Sequence, residues 1–343
     1  MTTSPQPFIG ARVDWRTLHG DAFAGHRVLV TGGAGFIGSH LVEALLALGA
    51  EVTVIDDLSG GERANLDPLM TLDAPLRFVE GSILDEPALA TCMSGVRYVL
   101  HQAALGSVPH SIKDPARYHA VNGTGTLNVL EAARQAGVQR VVFAASSSAY
   151  GDAPTLPKVE AMPVRPKSPY AATKAAGEAM LRAYAGSYDI DTISLRYFNI
   201  FGPRQNANSA YAAVIAAFAG ALLHGQRPRI YGDGEQSRDF TFVANAVHAN
   251  LLAARRDQAF GGEVVNIACG RRVTVNELAR QMTALLKRAD LTAEHVAERP
   301  GDVKHSLADL TLARELLGYE PLVSFEAGLA ETVRWYAAEQ ENA

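Results

Sequence analysis

The sequence predicts an α/β protein built on a doubly wound parallel sheet, with a smaller α/β lobe in its C-terminal part. Two observations predict this fold. Short aliphatic segments alternate with segments of helical spacing over most of the chain, and a glycine-rich turn follows the first aliphatic segment. Strands that are apolar on both faces are typical of parallel sheets covered by helices on each side.

The individual elements follow from local patterns. The predicted strands are short runs rich in Val, Ile, Leu and Phe, at residues 27–31, 51–55, 76–79, 98–101, 140–144 and 191–196. Apolar residues at helical spacing predict helices at 36–48 and 122–136, and a further helix carries Tyr170 and Lys174. After Asn199, prolines and glycines interrupt the pattern, so shorter strands and helices are expected there.

The composition is that of an ordinary globular protein and argues against several classes of partner. Of 343 residues, 48% are apolar and 20% charged, and the net charge is −5 without a long basic run, so nucleic acid is not expected to bind. No apolar run reaches the ~18–20 residues of a membrane span, and the N-terminus lacks a secretory signal. Cys92 and Cys269 lie far apart, which predicts free thiols in a reducing cytoplasm and no metal site.

A nucleotide site is predicted at the turn after the first strand. Gly32, Gly35 and Gly38 have the spacing G-x-x-G-x-x-G and lead into the helix that begins near Phe36 and Ile37. Glycines let the backbone turn sharply and approach a pyrophosphate, and the helix N-terminus supplies amides and a partial positive charge. The pattern therefore predicts a Rossmann-type dinucleotide site.

The end of the second strand indicates which dinucleotide binds. Asp56 stands where the ribose hydroxyls lie in such a site. A carboxylate accepts hydrogen bonds from these hydroxyls and repels a 2′-phosphate, which favours NAD over NADP. For Asp57, ribose contact and simple solvation both stay open.

These patterns divide the chain into three parts. Residues 1–26 are expected to form an N-terminal extension with a short helix around 14–24. Residues 27–199 form the NAD-binding domain, and residues 200–343 form mainly a substrate lobe, with some segments returning to the sheet.

Tyr170 and Lys174 are the candidate base and its partner. Residues four apart on a helix lie on one face, roughly 5–6 Å apart. An ammonium at that distance lowers the pKa of a phenol from its ordinary value of about 10. The pair therefore predicts a base that works near neutral pH, and beside a nucleotide site such a base suggests hydride chemistry on an alcohol.

The ordered motifs resemble those of the extended short-chain dehydrogenase/reductase family, from about Arg27 to Trp335. The matching motifs are the glycine-rich turn, His101-Gln102-Ala103-Ala104, Ser146-Ser147-Ser148-Ala149-Tyr150-Gly151, Tyr170-x-x-x-Lys174, Arg196-Tyr197-Phe198-Asn199-Ile200-Phe201-Gly202-Pro203-Arg204 and Ser237-Arg238-Asp239-Phe240. Within that family the chain looks like the nucleotide-sugar 4-epimerases. The stretches at 103–109, 208–215 and 301–309 resemble the bacterial branch that acts on UDP-N-acetylhexosamines.

This resemblance implies C4 epimerisation of UDP-N-acetylglucosamine and UDP-N-acetylgalactosamine through a 4-keto sugar, with NAD retained. Tyr170 would take the 4-hydroxyl proton, Lys174 would hold the nicotinamide ribose, and Ser146 would donate to the forming ketone, helped by Ser147 and Ser148. For at least one of these serines, a purely structural role at a polar strand end stays open. Related 4,6-dehydratases and UDP-glucuronate decarboxylases have acidic residues just after the catalytic hydroxyl, so the serines found here disfavour elimination.

The resemblance also implies the binding residues. For the cofactor these are Gly32, Gly35, Phe36, Ile37, Gly38, Asp56, Asp57, Ser82, Ile83, Gln102, Ala103, Ala104, Asn122, Tyr170 and Lys174. For the UDP-sugar these are Gly106, Ser107, Val108, Ser146, Ser147, Ser148, Tyr170, Asn199, Ala213, Val214, Tyr231, Arg238, Arg299, Asp302 and Ser306. Arg238 and Arg299 are the expected phosphate cations because the arginine fork fits phosphate oxygens. For Arg204, substrate contact and a structural ion pair both stay open.

Ser306 is predicted to set the sugar specificity. In the resembling family a bulky aromatic residue at this position restricts the pocket to unsubstituted hexoses, whereas a small residue leaves room for a 2-N-acetyl group. Room alone does not reject plain hexoses. Epimerisation of UDP-glucose or of a UDP-uronate therefore stays open, as does a non-catalytic regulator that binds NAD or a nucleotide sugar. The resemblance further implies a homodimer.

Overall fold

The computed structural model describes residues 13–206, 214–298 and 304–342. The strands are β1 Arg27–Thr31, β2 Glu51–Asp56, β3 Leu76–Glu80, β4 Tyr98–His101, β5 Arg140–Ser146, β6 Asp191–Tyr197, β7 Ile200–Phe201, β8 Arg229–Tyr231, β9 Ser237–Arg238, β10 Thr241–Phe242, β11 Glu263–Ile267, β12 Val273–Thr274 and β13 Glu294–Val296. The helices are α1 Trp15–His19, α2 Phe36–Ala47, α3 Asp67–Met70, α4 Glu86–Cys92, α5 Val108–Lys113, α6 Pro115–Tyr118, α7 Gly125–Gln135, α8 Pro169–Ser187, α9 Val214–Leu223, α10 Val243–Arg255, α11 Val275–Leu285, α12 Thr311–Leu317 and α13 Phe325–Asn342. Short 3-10 helices cover Arg63–Asn65 and Ser147–Tyr150, and a π-helix covers His119–Thr124.

A seven-stranded sheet in the order β11-β6-β5-β4-β1-β2-β3 forms the centre of the molecule. All its neighbouring pairs are parallel. The six strands predicted from aliphatic runs are present, each within two residues of its predicted end. The seventh strand, β11, comes from the C-terminal part of the chain and pairs with β6. The Rossmann-type doubly wound sheet expected from the sequence is confirmed.

Alternate residues of the strands enter two apolar cores, one on each face of the sheet. In β1, Val28 and Val30 belong to one core and Leu29 to the other. In β5 the same alternation separates Val142 from Phe143. Successive side chains of a strand point to opposite faces, so a strand covered on both sides must be apolar at every position. This is why the strands could be recognised as uninterrupted aliphatic runs.

The helix predicted over 122–136 has a different structure. Its first part belongs to the π-helix His119–Thr124, and the regular helix α7 covers only Gly125–Gln135. A π-turn holds one more residue than an α-turn and often marks a functional site. Apolar spacing cannot reveal it, because the extra residue changes the phase of the pattern without removing it.

Residues 13–26 form an ordered segment packed on the sheet domain. Asp14 caps α1 by accepting a hydrogen bond from the Thr17 amide at 3.0 Å. Trp15 and Phe23 are buried, and the Arg16 Nε donates to the Ala47 carbonyl at the end of α2, at 3.0 Å. The expected short helix is present but ends at His19, where Gly20 adopts a φ of 57°.

The remaining strands form three small two-stranded sheets, β7 with β10, β9 with β12, and β8 with β13. Within the described ranges, no helix is both long and apolar enough to cross a membrane. The described residues also include no group of three or more His, Cys, Asp or Glu side chains placed to hold a metal ion. Cys92 and Cys269 are both free thiols.

Candidate active site

Several of the predicted site residues lie at the carboxyl edge of the sheet. The glycine turn follows β1, the stretch from Gln102 follows β4, and Ser146 ends β5. Ser146 is paired with Tyr197 of β6, and Asn199 comes two residues later. Ligands of open parallel sheets bind outside the carboxyl ends of the strands, where the strand order reverses. Here that reversal lies between β1 and β4.

Two glycines of the turn are required by close backbone contacts. Gly32 has a φ of +70°, and a Cβ there would lie 2.7 Å from the Ala103 backbone. A Cβ on Gly38 would lie 2.1 Å from the Gly32 carbonyl oxygen. At the start of α2, Gly35 makes no side-chain cap hydrogen bond, so the amides of the first turn are available to an anion.

Asp56 fits the ribose-binding role. Its carboxylate is 8% exposed and accepts hydrogen bonds from the Ala34 and Leu58 amides, both at 2.9 Å. Burial raises its pKa, and the backbone hydrogen bonds oppose that rise. Each carboxylate oxygen retains a lone pair for a hydroxyl. Asp57 is exposed and accepts from the Ser59 amide at 3.0 Å, which supports the solvated alternative for this residue.

Five other residues predicted to bind the cofactor follow β3 and β4. Ser82 Oγ accepts from the Leu84 amide at 3.3 Å, and Ile83 is buried against Gly125. Gln102 Nε2 donates to Asn250 on α10 at 3.2 Å. Ala103 and Ala104 follow in the same stretch.

Asn122 holds two parts of the site together. Its side chain makes hydrogen bonds with both the amide (2.8 Å) and the carbonyl (3.1 Å) of Leu105, and donates to Thr173 Oγ1 at 3.2 Å. Asn122 thus ties the Leu105 stretch to the helix that carries Tyr170.

That stretch also approaches Tyr170. Within the predicted sugar-binding residues Gly106, Ser107 and Val108, the Ser107 amide donates to the Tyr118 hydroxyl at 3.1 Å. Tyr118 in turn interacts electrostatically with Tyr170. Val108 is 39% exposed.

The catalytic candidates form a chain of hydroxyl groups. Helix α8 begins beside the sheet edge, with Ser168 as its N-cap and Pro169 as its first residue. Tyr170 and Ser146 are hydrogen-bonded through their side chains. Ser148 Oγ donates to Ser146 Oγ at 2.8 Å, and the Ser148 amide donates to the same oxygen at 3.2 Å. With two donors directed at it, Ser146 Oγ is set to give its own proton towards the phenol.

The expected lowering of the Tyr170 pKa was wrong for the structure as it stands. Burial raises the pKa of this phenol above its ordinary value, a hydrogen bond from Ser146 lowers it, and Tyr118 raises it further. The Lys174 Nζ donates to the Ala144 carbonyl at 2.8 Å. Tyr170 and Lys174 lie four residues apart on α8 as expected, but burial dominates the Tyr170 pKa, and Lys174 is not among the groups that shift it.

A pocket of about 290 Å³ is lined by residues from the C-terminal part of the chain, between Asn199 and Val275. It brings together Asn199, Val214, Tyr231 and Arg238, which the sequence had placed in the sugar-nucleotide site. It also includes residues that sequence reasoning missed: Ile200, Phe201, Ile215, Ala217, Phe218, Arg229, Gln236, Phe240 and Val275.

Arg229 is the missed residue with the clearest chemistry. It stands two positions before Tyr231 on β8, and residues two apart on a strand share a face. This alternation was the available signal for a second cation in the pocket. Arg229 forms a long ion pair of 3.9 Å with Glu294.

Ser306 lies beside Arg238 through a short backbone pairing. The Ser306 amide donates to the Ser237 carbonyl at 3.0 Å, and His305 Nδ1 is 2.9 Å from Ser237 Oγ. Ala213, Arg299 and Asp302 lie outside the described residues.

Three further residues have structural roles. His101 is buried between Thr31 Oγ1 at 2.7 Å and Thr126 Oγ1 at 3.1 Å, and burial lowers its pKa to about 3. The Tyr150 hydroxyl donates to Asn266 Oδ1 at 2.7 Å. Of the two roles left open for Arg204, the structure shows the ion pair: it contacts Glu43 at 2.8 Å, and the arginine is buried.

Comparisons with known proteins agree with this geometry. A family model described as the NAD dependent epimerase/dehydratase family matches residues 28–268. A UDP-glucose 4-epimerase of Mycolicibacterium smegmatis is 40% identical over 312 residues, covering 90% of this chain and 98% of that protein.

Solved structures have the same fold. UDP-N-acetylglucosamine 4-epimerase from Methanobrevibacter ruminantium in complex with UDP-N-acetylmuramic acid is 41% identical, with a TM-score of 0.87 over 92% of this chain and 100% of that one. Thermus thermophilus UDP-glucose 4-epimerase in complex with NAD is 37% identical, with a TM-score of 0.80 over 90% of this chain and 98% of that one.

The structure supports NAD as the cofactor on its own terms. A turn closed by Gly32 and Gly38, free amides at the start of α2 and a carboxylate at Asp56 together fit a dinucleotide without a 2′-phosphate. The chain therefore belongs to the NAD dependent epimerase/dehydratase family, and it is an NAD-using isomerase.

Proposed function

We propose that this protein is a nucleotide-sugar 4-epimerase of the cytoplasm that interconverts UDP-N-acetylglucosamine and UDP-N-acetylgalactosamine. The observation that carries the proposal is a chain of hydrogen-bonded hydroxyl groups that runs from Ser148 through Ser146 to Tyr170. Tyr170 lies on the face of α8 that also carries Lys174. Serines at 147 and 148 offer no carboxyl group to expel water from the sugar. If C4 of the sugar is oxidised and no water is eliminated, the reaction ends by returning the hydride to C4. Return of the hydride to the opposite face of the sugar inverts C4.

Each protein group has a distinct task in this reaction. The Tyr170 oxygen accepts the proton of the sugar 4-hydroxyl, and Ser146 Oγ donates a hydrogen bond to the same oxygen as it becomes a ketone. NAD, held by the glycine turn and Asp56, would supply the acceptor and later the donor of the C4 hydride. The Lys174 ammonium stabilises the phenolate electrostatically. After the 4-keto sugar presents its opposite face, Tyr170 returns the proton and completes the inversion.

The pocket at Asn199 supports a UDP moiety. A diphosphate brings negative charge to a chain of net charge −5, so local cations are needed. Arg238 and Arg229 line the pocket together with the aromatic rings of Tyr231 and Phe218. Guanidinium groups pair with phosphate oxygens, and an aromatic wall suits a planar base.

Two substrates are supported by specific observations. A small side chain at Ser306 leaves room for the N-acetyl group, and a solved relative at 41% identity is a UDP-N-acetylglucosamine 4-epimerase. UDP-glucose is the second candidate, because the curated relative at 40% identity is a UDP-glucose 4-epimerase. An open pocket tolerates the smaller sugar, so activity on both is expected.

The test is to incubate the purified protein with UDP-N-acetylglucosamine, without added NAD, and to follow UDP-N-acetylgalactosamine by NMR. UDP-glucose is run in parallel, and Tyr170→Phe serves as the inactive control that still contains NAD. Product from the native protein alone supports epimerisation, cofactor retention and N-acetyl tolerance together. No product from the N-acetyl sugar while UDP-galactose forms from UDP-glucose would overturn the substrate assignment. Full activity in Tyr170→Phe would overturn the mechanism.

We also propose a homodimer formed through α7 and α8. Leu127 on α7 is 40% exposed, and Tyr188, just after α8, is 46% exposed. Pairing the two helices with their copies would cover these apolar side chains. Light scattering at a monomer mass would contradict this assembly.

A further inference from the structure

Glu178 and Arg196 form a buried ion pair close behind the catalytic residues. Glu178 is on α8 and is 5% exposed, and Arg196 is on β6 and is 3% exposed. The pair is bidentate, with Nε at 2.8 Å from Oε1 and a terminal nitrogen at 2.7 Å from Oε2. The Arg196 guanidinium also lies 4.5 Å from the centre of the Tyr150 ring. The carboxylate therefore has a fixed position.

Glu178 follows Lys174 by four residues, and Lys174 follows Tyr170 by four. Residues at this spacing occupy one face of a helix. Base, ammonium and carboxylate thus stand in one row along α8. Arg196 donates hydrogen bonds to both oxygens of the carboxylate from outside the row.

Lys174 stands in surroundings that disfavour an ammonium. It is 4% exposed, donates to the Ala144 carbonyl at 2.8 Å, and lies 4.8 Å from the centre of the Phe143 ring. Burial lowers its pKa to about 7, and the Glu178 charge acts in the opposite direction. Of the charged and titratable groups around it, His101 on β4 is buried and has a pKa lowered to about 3, so it is neutral near pH 7.

Resting on the proposed function, we propose that Glu178, held by Arg196, is a positioning residue that keeps Lys174 in its ammonium form beside Tyr170. A neutral amine would not stabilise the phenolate, so proton abstraction from the sugar needs the ammonium. The competing explanation is that the pair only fastens α8 to β6. In that case its loss lowers stability without changing the protonation of Lys174.

The chain offers a matched control. Arg140 and Asp191 form a second ion pair at 2.5 Å, also largely buried, at the first residues of β5 and β6. Ser146 and Tyr197 end the same two strands at the catalytic edge, so this pair lies at the opposite end. Asp191→Asn therefore breaks a comparable buried pair far from Lys174.

The experiment measures the protonation of Lys174 directly. Native protein, Glu178→Gln, Glu178→Asp and Asp191→Asn are reacted briefly with acetic anhydride at pH 5 to 10, and labelling of Lys174 is quantified by peptide mass spectrometry. Only the neutral amine reacts, so the pH midpoint reports the Lys174 pKa. In Glu178→Gln the midpoint is expected to move down by about one unit or more. In Glu178→Asp and Asp191→Asn it should stay near the native value.

Turnover gives the second readout. The pH profile of kcat is measured with whichever UDP-sugar the native protein converts. In Glu178→Gln the alkaline fall of kcat should begin at lower pH, about tenfold down at pH 9 with an unchanged KM and a near-native rate at about pH 5. An unchanged labelling midpoint in Glu178→Gln would overturn the proposal.

A second variant covers the case in which Glu178→Gln does not fold. If Glu178→Gln does not fold, the double change Glu178→Gln with Arg196→Met removes the pair without leaving a buried unpaired charge. Arg196 is not among the groups that shift the Lys174 pKa, so the same downward midpoint is expected. The labelling needs no substrate, so a protein that fails to epimerise UDP-N-acetylglucosamine refutes the proposed function while the Lys174 result still stands.

Discussion

At the scale of single residues, the site depends on a balance between burial and charge. Burial raises the pKa of Tyr170 and lowers that of Lys174, so both groups are pushed towards their neutral forms. The hydrogen bond from Ser146 works against that trend at Tyr170. Proton abstraction therefore depends on groups that favour the charged forms. The serine chain is one such group, and substitution can test it as it can test Glu178.

Ser148→Ala tests this chain. The change removes the hydroxyl that donates to Ser146 Oγ at 2.8 Å and leaves Ser146 free to rotate. One lost hydrogen bond of about 1–1.5 kcal/mol corresponds to a fall of about tenfold in kcat. Steady-state kinetics of Ser147→Ala provide the comparison. A larger loss in Ser147→Ala than in Ser148→Ala would contradict the order of hydroxyls seen here.

Ser306→Tyr tests the sugar pocket. The Ser306 backbone is fixed by the hydrogen bond that its amide donates to the Ser237 carbonyl, so a large ring at this position cannot move away with the backbone. We expect kcat/KM for UDP-N-acetylglucosamine to fall by about a hundredfold or more, with UDP-glucose affected only several-fold. Equal losses for the two sugars would mean that Ser306 does not contact the 2-substituent. Ser306→Ala, which keeps the pocket open, should retain both activities.

At the scale of elements, the sequence predicted strands better than it predicted their surroundings. The central strands are apolar on both faces, and this leaves a signal that does not depend on distant contacts. The π-helix at His119–Thr124 left no such signal. Nor did the packing of residues 13–26, because Trp15 and Phe23 are isolated apolar residues whose partners lie far along the chain.

Helix α1 is joined to α10 by a pair of buried histidines. His19 Nε2 lies 3.1 Å from His248 Nδ1. At this distance the N–H of one neutral ring donates to the unprotonated nitrogen of the other. Burial lowers the pKa of His19 to about 3, with His248 and Arg255 adding to the shift, and lowers that of His248 to about 4. Their contribution to stability is full above the unfolded pKa of about 6.5 and is lost as the pH falls through these folded values.

Lowering the pH should therefore reduce the free energy of unfolding that this histidine contact contributes. We expect the melting temperature to fall between pH 7 and pH 5, and the fall to be smaller in His248→Gln, which cannot take up the proton. Differential scanning calorimetry at both pH values checks this. His224→Gln, at an exposed histidine just after α9, should keep the native slope. An identical slope in His248→Gln and the native protein would count against the histidine pair.

At the scale of the whole molecule, Asp239 connects the pocket at Asn199 to distant parts of the chain. Its fully buried carboxylate accepts amide hydrogen bonds from Cys269 at 3.0 Å, Gly270 at 3.1 Å and Ala308 at 3.2 Å. Its own carbonyl accepts from Asn199 Nδ2 at 3.1 Å. Its sequence neighbours, Arg238 and Phe240, line the pocket.

This connection explains which site residues the sequence could identify. Local motifs, whose spacing indicates their chemistry, contain Gly32, Asp56, Ser146 and Tyr170. The structure places these residues at one edge of the sheet. The role of Asp239 depends on amides that are contributed from about 30 and 70 residues away, which no local pattern reveals. The same is true of the raised Tyr170 pKa, which follows from burial in the assembled fold.

Asp239→Asn should weaken both the fold and the pocket. Asparagine offers one oxygen where the carboxylate offers two, so its amino group must face at least one of the three backbone N–H donors. Leaving a buried donor unpaired costs about 1–3 kcal/mol, so we expect a melting temperature lower by several degrees. Because Arg238 is directly joined to this residue, KM for the UDP-sugar should rise more than kcat falls. Asp233→Asn, at an exposed carboxylate that accepts only the Glu235 amide among its described bonds, is the matched control and should change neither quantity. A stable Asp239→Asn protein with native KM would show that the three amides do not hold the pocket wall in place.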